Sequence, residues 1–215
     1  MFIDFHTHPL NHRYYFDGRC PTALTDRDRA DILGLLAQAR ERGLDAVAVT
    51  DHDLAVSGLW AAAEAKRLNL PIIVIPGCEC ELYHQGEWVH ILALGLKKPL
   101  AYTAYTPAAD LIAAVRTQGA LAVLAHPMAY SPAIYASLGH LVDGIEYRNG
   151  AQERRGLSDY AAILDCDGYR GLRLYNSDCH YPDKMASVQW DARNEISEAE
   201  FVKLFGPEYL PSAGR

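Results

Sequence analysis

At 215 residues, half of them hydrophobic, the chain has enough apolar content for one sizeable core, and its net charge of −7 argues against broad nucleic-acid binding, which needs a basic surface. Its strand-like apolar runs are four to six residues long, far short of the roughly 20 needed to cross a bilayer, and no basic stretch leads into an apolar signal core. The five cysteines, Cys20, Cys78, Cys80, Cys166 and Cys179, form no even framework and Cys78 and Cys80 no Cys-x-x-Cys pair, so buried thiols and a cytoplasmic location are expected.

Short apolar strands alternate with amphipathic stretches, the pattern of parallel βα units. Met1-Phe2-Ile3 reads as a first strand, followed by a polar and aromatic loop from Pro9 to about Leu24. A helix is expected from Asp26 to Arg42, with Ile32, Leu33 and Leu36 on one face and Gly43 as its stop. Ala46 to Val49 is a second strand, and Ser57 is placed as the cap of a helix ending before Pro71. Ile72 to Ile75 is a third strand, and Glu81 to Leu96, interrupted by Gly86, reads as a hairpin with His90 on its second arm. Thr106-Pro107 opens a helix to Gln118 as cap and first helical residue. Strands follow at 120–125, 142–147 and 172–176, with helices between them, and Ser197 to Glu200 is a capping box for a last helix to Phe205. Without repeat or linker, residues 1–215 are expected to form a single domain.

Histidines and carboxylates gather where the apolar runs stop: Asp4-Phe5-His6-Thr7-His8, Thr50-Asp51-His52-Asp53, Pro76-Gly77-Cys78-Glu79, His126-Pro127 and Ser177-Asp178-Cys179-His180. Neutral imidazole and carboxylate are ligands of zinc and other first-row metals. His6 and His8, two apart on an extended segment, leave the same face, as two ligands of one ion must. A barrel gathers the ends of many strands at one mouth, whereas an open doubly wound sheet offers one crevice. Ligands after nearly every strand favour closure.

This set, in this order over residues 1 to 180, resembles the polymerase and histidinol phosphatase (PHP) family. The likeness is carried by His6-Thr7-His8, Thr50-Asp51-His52, Pro76-Gly77-x-Glu79, His90, His126-Pro127 and Ser177-Asp178-x-His180. It implies a distorted (β/α)7 TIM-like barrel with the metal site at the C-terminal ends of its strands. It also implies two to three divalent ions, of zinc, manganese or iron. His6, His8, Glu79 and Asp178 would hold one ion, and Glu79 would bridge to a second completed by His90 and His126. His52 and His180 would hold a third with a residue of the first loop, either Asp17 of Asp17-Gly18, which is favoured, or His12.

The activity implied is metal-dependent hydrolysis of a small phosphorylated substrate, monoester or diester. A hydroxide bridging two ions would attack phosphorus, with Glu79, Asp178 and His180 at the reaction centre. The bound ions would leave the cluster net positive and attract an anion. Arg148, Arg13, Arg19 and Lys184 are candidates to clamp phosphate oxygens. Asp51 is expected either to orient a neighbouring imidazole or to cap its strand, Cys179 to be buried filler, and His84 and His140 to be solvated. Tyr14, Tyr15 and Phe16 would cover the site or pack the loop. A nuclease or nucleotide phosphodiesterase is the alternative, kept in view by Arg148, Arg154, Arg155, Arg170 and Arg173. A non-catalytic module stabilised by metal is the reading from a different class.

Overall fold

The computed structural model describes residues 1–15, 21–157, 168–180 and 194–210. Its strands are β1 (Phe2–Asp4), β2 (Ala46–Val49), β3 (Ile73–His84), β4 (Glu87–Leu94), β5 (Leu121–Leu124), β6 (Gly144–Asn149), β7 (Leu172–Asn176) and β8 (Asn194–Glu195). The helices are α1 (Asp26–Glu41), α2 (Ala55–Arg67), α3 (Ala108–Thr117), α4 (Pro132–Leu138), α5 (Gly150–Arg154) and α6 (Glu198–Phe205). No helix among the described residues is long and apolar enough to cross a membrane.

The strands form one mixed sheet in the order β7-β6-β5-β4-β3-β2-β1-β8. Neighbours run parallel except where β4 lies antiparallel between β3 and β5, and where β8 lies antiparallel to β1. The sheet curls until its ends nearly meet, giving the distorted (β/α) barrel expected from the sequence. Asn194 bridges the seam: its side-chain amide donates to Ile3 O (3.1 Å) and Tyr175 O (2.8 Å), and its carbonyl accepts from Tyr175 N (3.0 Å). A two-residue strand has no periodicity to read, so β8 is not visible in the sequence.

Small and branched residues fill the lumen, among them Ile3, Ala46, Ala48, Ile75, Leu92 and Val123. α6 carries Phe201 and Phe205 into the same cluster, and Phe205 stacks on Phe5 at 5.8 Å. Its capping box is formed, with Ser197 and Glu200 exchanging side-chain-to-backbone hydrogen bonds. Phe205 abuts Gly95, at the end of β4 that lies beside the start of β5. α6 therefore plugs the end away from the histidines. Outside, α1 and α2 cover β2 and the start of β3, and α3 and α4 cover β4, β5 and β6.

Several local expectations are corrected. The buried stripe of α1 is Ile32, Leu35, Leu36 and Ala39, with Leu33 only partly buried. Ser57 does not cap α2; it sits inside the first turn and donates to Leu54 O at 2.9 Å. Pro107 has ψ of 133° and occupies the cap position of α3, while Thr106 Oγ1 accepts from Thr103 N. The third strand and the first hairpin arm are one strand, because Pro76 and Gly77 continue β3. Its turn, Gln85-Gly86, has positive φ at both residues (50° and 90°), as a two-residue hairpin of right-handed twist requires. His84 is not simply solvated but meets Ser137 Oγ at 3.0 Å.

Candidate metal centre

Hydrogen bonds beyond the strand ends bring the histidine- and carboxylate-bearing segments together. Asp4 accepts from the N–H groups of His6 (3.3 Å) and Ser177 (3.1 Å), and His8 N donates to Cys179 O (2.9 Å). This zips the exit of β1 to that of β7, placing His6 and His8 beside Asp178 and His180. Thr50 continues the ladder: its N–H donates to Thr7 O (2.9 Å) and its carbonyl accepts from Glu79 N (3.1 Å). β4 then sets His90 opposite Glu81, one pleat outward from Glu79. His126 and Asp178 turn inward from strand ends with φ of 28° and 48°. Such left-handed backbone in non-glycine residues costs about 1–3 kcal/mol and tends to mark functional sites.

The Glu79 carboxylate lies at the centre. Its Oε1 is 2.8 Å from His90 Nδ1, 3.0 Å from His126 Nε2 and 3.3 Å from His6 Nε2. Its Oε2 is 2.8 Å from His52 Nδ1 and 3.2 Å from His8 Nε2. Asp178 Oδ1 stands 3.4 Å from His8 Nε2 and 3.7 Å from His6 Nε2. His52 Nε2 and His180 Nε2 approach to 3.3 Å. The buried atoms His6 Nε2, His8 Nε2, His52 Nδ1 and Glu79 Oε2 have no hydrogen-bond partner. Such orphans are costly unless something of opposite charge lies among them.

Among the described residues three donor triads overlap: His6-His8-Glu79, His52-Glu79-His90 and His8-His52-His180. The donors of each lie within 4.8 Å of one another, and Glu79 belongs to two triads. The His and Glu clusters therefore fit divalent metal ions, and a carboxylate shared between triads is the group able to bridge two of them. Of the first-loop candidates, His12 stacks on His180 at 4.3 Å and lies 5.3 Å from His52. Asp17 lies outside the described residues, as do Arg19 and Lys184.

Electrostatics suit a cation. Burial would raise the pKa of Glu79, but His90, His6 and His52 outweigh it and hold the carboxyl well below its ordinary range. Asp178 is likewise held low against burial by His6 and His8. Burial pushes His52 down to about 4 and His180 to about 3, so both rings stay neutral with a lone pair to offer.

The surrounding groups orient the donors. Glu146, fully buried on β6, pairs with His6 Nδ1 at 2.8 Å and accepts from His126 N at 2.6 Å. Tyr130 OH meets His126 Nδ1 at 3.0 Å and accepts from His90 N at 2.9 Å. From the sequence Tyr130 gives no signal, and Glu146 stands out only as the start of Glu146-Tyr147-Arg148-Asn149, a segment resembling the PHP family's in which Arg148 rather than Glu146 is the candidate for a role. Glu81 was also missed: it faces His90 Nε2 at 3.4 Å and accepts from Tyr15, whose ring covers His52 at 4.4 Å. Tyr14 instead packs the loop down, donating to Asp28 at 2.6 Å.

Asp51 accepts from Leu10 N at 2.9 Å, so it fastens the first loop. Cys179 is fully buried, and burial pushes its thiol pKa far up, as inert filler requires. Arg13 is engaged by Asp28 and Asp31 of α1, and Arg148 donates to Glu153 at 2.5 Å. A phosphate role for either would exchange that ion pair.

No family model and no curated protein matches the chain. Solved structures do. An amidohydrolase from Chromobacterium violaceum, with sulfate bound and no metal, superposes with a TM-score of 0.62 at 16% identity, covering 92% of this chain and 93% of its own. A putative metal-dependent phosphoesterase from Bifidobacterium adolescentis gives 0.59 at 16% identity over 94% and 96%. A two-domain protein from Bacteroides vulgatus containing a predicted PHP-like metal-dependent phosphoesterase gives 0.56 at 21% identity over 86% and 53%. The chain has the PHP-like fold. At these identities the likeness is one of architecture, and in this chain the mouth of that PHP-like barrel is where the donor triads lie.

Proposed function

We propose that the protein is a metal-dependent hydrolase acting on a small phosphate ester. One observation carries this reading: a buried, ionised Glu79 is shared between two sets of donors, among which His6 Nε2, His8 Nε2, His52 Nδ1 and Glu79 Oε2 lack hydrogen-bond partners. His6, His8 and Asp178 would hold one ion with Glu79, and His90 and His126 a second across it. His52 and His180, with His12 against them, would hold a third. Divalent ions bound there would supply Lewis acidity towards a phosphoryl oxygen and a water nucleophilic near neutral pH.

The protein's part is to fix and shield this arrangement. Glu146 keeps the Nδ1 proton of His6 and so turns Nε2 towards Glu79, while Tyr130 braces His126. The Tyr15 ring covers one flank of the cluster and excludes water there. Among the basic side chains, Arg155 acts electrostatically on His12 and is a candidate for phosphate oxygens beside Arg13 and Arg148. Cys179 is too deeply buried and too far from its thiolate form to attack, and water is the attacking group in this reading.

The test is release of p-nitrophenol from p-nitrophenyl phosphate and bis-p-nitrophenyl phosphate with manganese, zinc or iron supplied. Turnover by the wild type, lost together with bound metal in Glu79→Ala, is expected. Glu79→Ala retaining both would sink the assignment, and turnover confined to p-nitroanilides would move it to amide hydrolysis.

A further inference from the structure

The face of the β3–β4 hairpin that carries Glu79 and His90 continues outward past the metal cluster. In the antiparallel register Glu79 lies opposite Leu92, Glu81 opposite His90 and Tyr83 opposite Trp88. Side chains alternate along a strand, so all six share one face. The other face, with Cys80, Leu82, Val89 and Ile91, is buried in the layer under α3 and α4. Tyr83 and Trp88 therefore stand on the lumen side, beyond the barrel mouth. At about 3.4 Å per residue, Trp88 is ~7 Å outward from His90 and Tyr83 ~14 Å outward from Glu79.

These rings are left in water: Tyr83 is 44% exposed, Trp88 49% and the neighbouring Tyr105 75%. Tyr83 meets Trp88 at 5.2 Å and 61°, and Tyr105 at 6.1 Å and 67°. Edge-to-face contacts brace the rings without covering their faces. The support is stiff, since a two-residue turn closes the hairpin and Tyr83 N donates to Ala104 O at 2.6 Å, tying in the loop that carries Tyr105. Large aromatic groups clustered in solvent mark a binding surface.

The geometry points to a stacking subsite, in which Trp88, Tyr83 and Tyr105 receive the planar ring of an ester whose phosphate lies at the Glu79 cluster. This inference rests on the phosphoesterase reading and narrows its substrate class to nucleotide-like phosphates, in which a polar spacer joins ring and phosphate. Continuity of one strand face with the ligands favours this occupant over a protein partner. Glu81 lies midway along the same face, so the spacer between phosphate and ring carries hydroxyls in preference to a second anion there.

Adenosine 5′-monophosphate and ribose 5-phosphate, which differ by the ring, separate the possibilities. Metal-loaded wild type should favour the former by roughly 5- to 150-fold in kcat/KM, the range that base-on-aromatic stacking contributes. Trp88→Ala combined with Tyr83→Ala should abolish that preference through KM and leave ribose 5-phosphate turnover unchanged. Equal turnover of both esters by the wild type overturns the subsite and leaves the hydrolase standing. If neither ester is cleaved, binding decides: saturable quenching of tryptophan emission by adenosine 5′-monophosphate, lost in Trp88→Phe, supports it. No quenching by that compound overturns it, as does a wild-type dimer that Trp88→Ala converts to monomer.

Discussion

Glu146→Gln is the sharpest test of how the centre is held. Oε1 of Glu146 accepts from His6 Nδ1 (2.8 Å) and Asn176 Nδ2 (2.7 Å), and Oε2 from His126 N (2.6 Å) and Asn149 Nδ2 (2.8 Å). Whichever way a glutamine amide is turned, its NH2 faces two donors. Neither asparagine can flip to help. Asn149 Oδ1 is committed to Gln152 N, and Asn176 Oδ1 to Phe5 N and Asn194 Nδ2.

Losing two hydrogen bonds to a buried charge costs about 3–5 kcal/mol. If the amide NH2 turns to His6, the ring must move its proton to Nε2, the atom facing Glu79. Metal affinity should then fall about 10- to 100-fold. Urea unfolding of the metal-free proteins measures the first effect, and competition with a chromophoric chelator the second. A stability change under ~1 kcal/mol, with affinity within twofold of wild type, would refute both the hydrogen-bond accounting and the orienting role.

Apparent metal affinity should rise between pH 6 and pH 8. Burial opposes the imidazolium of His90, but Glu79 and Glu81 raise its pKa to about 10, and Glu146 and Glu79 hold His6 high. Protons thus compete with the cation below those values, and binding must release them; a flat affinity profile in chelator competition would contradict this. His12→Ala should lower metal stoichiometry without emptying the sites around Glu79, and unchanged metal content by elemental analysis would remove His12 from the centre. A Cβ on Gly58 would lie 2.6 Å from Val49 O and 2.7 Å from Gly77 N, so Gly58→Ala should cost about 1–3 kcal/mol. Gly34 in α1 has open space around it, and Gly34→Ala should stabilise by about 0.5–1 kcal/mol. Urea midpoints check the pair, and equal shifts would show that the seating of α2 is loose.

Much of the architecture and the donor set was legible in the residues. Alternating apolar runs and capped helices gave the βα order, and His6, His8, His52, His126, Asp178 and His180 announced themselves by following strands. Those signals are local, because side-chain alternation, helix caps and strand exits are properties of a few consecutive residues. Glu79 was visible as a ligand type, yet its place at the centre comes from β3 running on through Pro76 and Gly77.

What the tertiary structure decided is the set of contacts made across the barrel. Glu146 reaches His6 over 140 residues of sequence, Asn194 joins β1 to β7, and α6 plugs the end opposite the site. Arg13 belongs to Asp28 and Asp31, and Tyr83 and Trp88 extend the ligand face into solvent. Each depends on register and closure, in which partners far apart in sequence are selected by packing, and no short-range pattern in the chain records that choice.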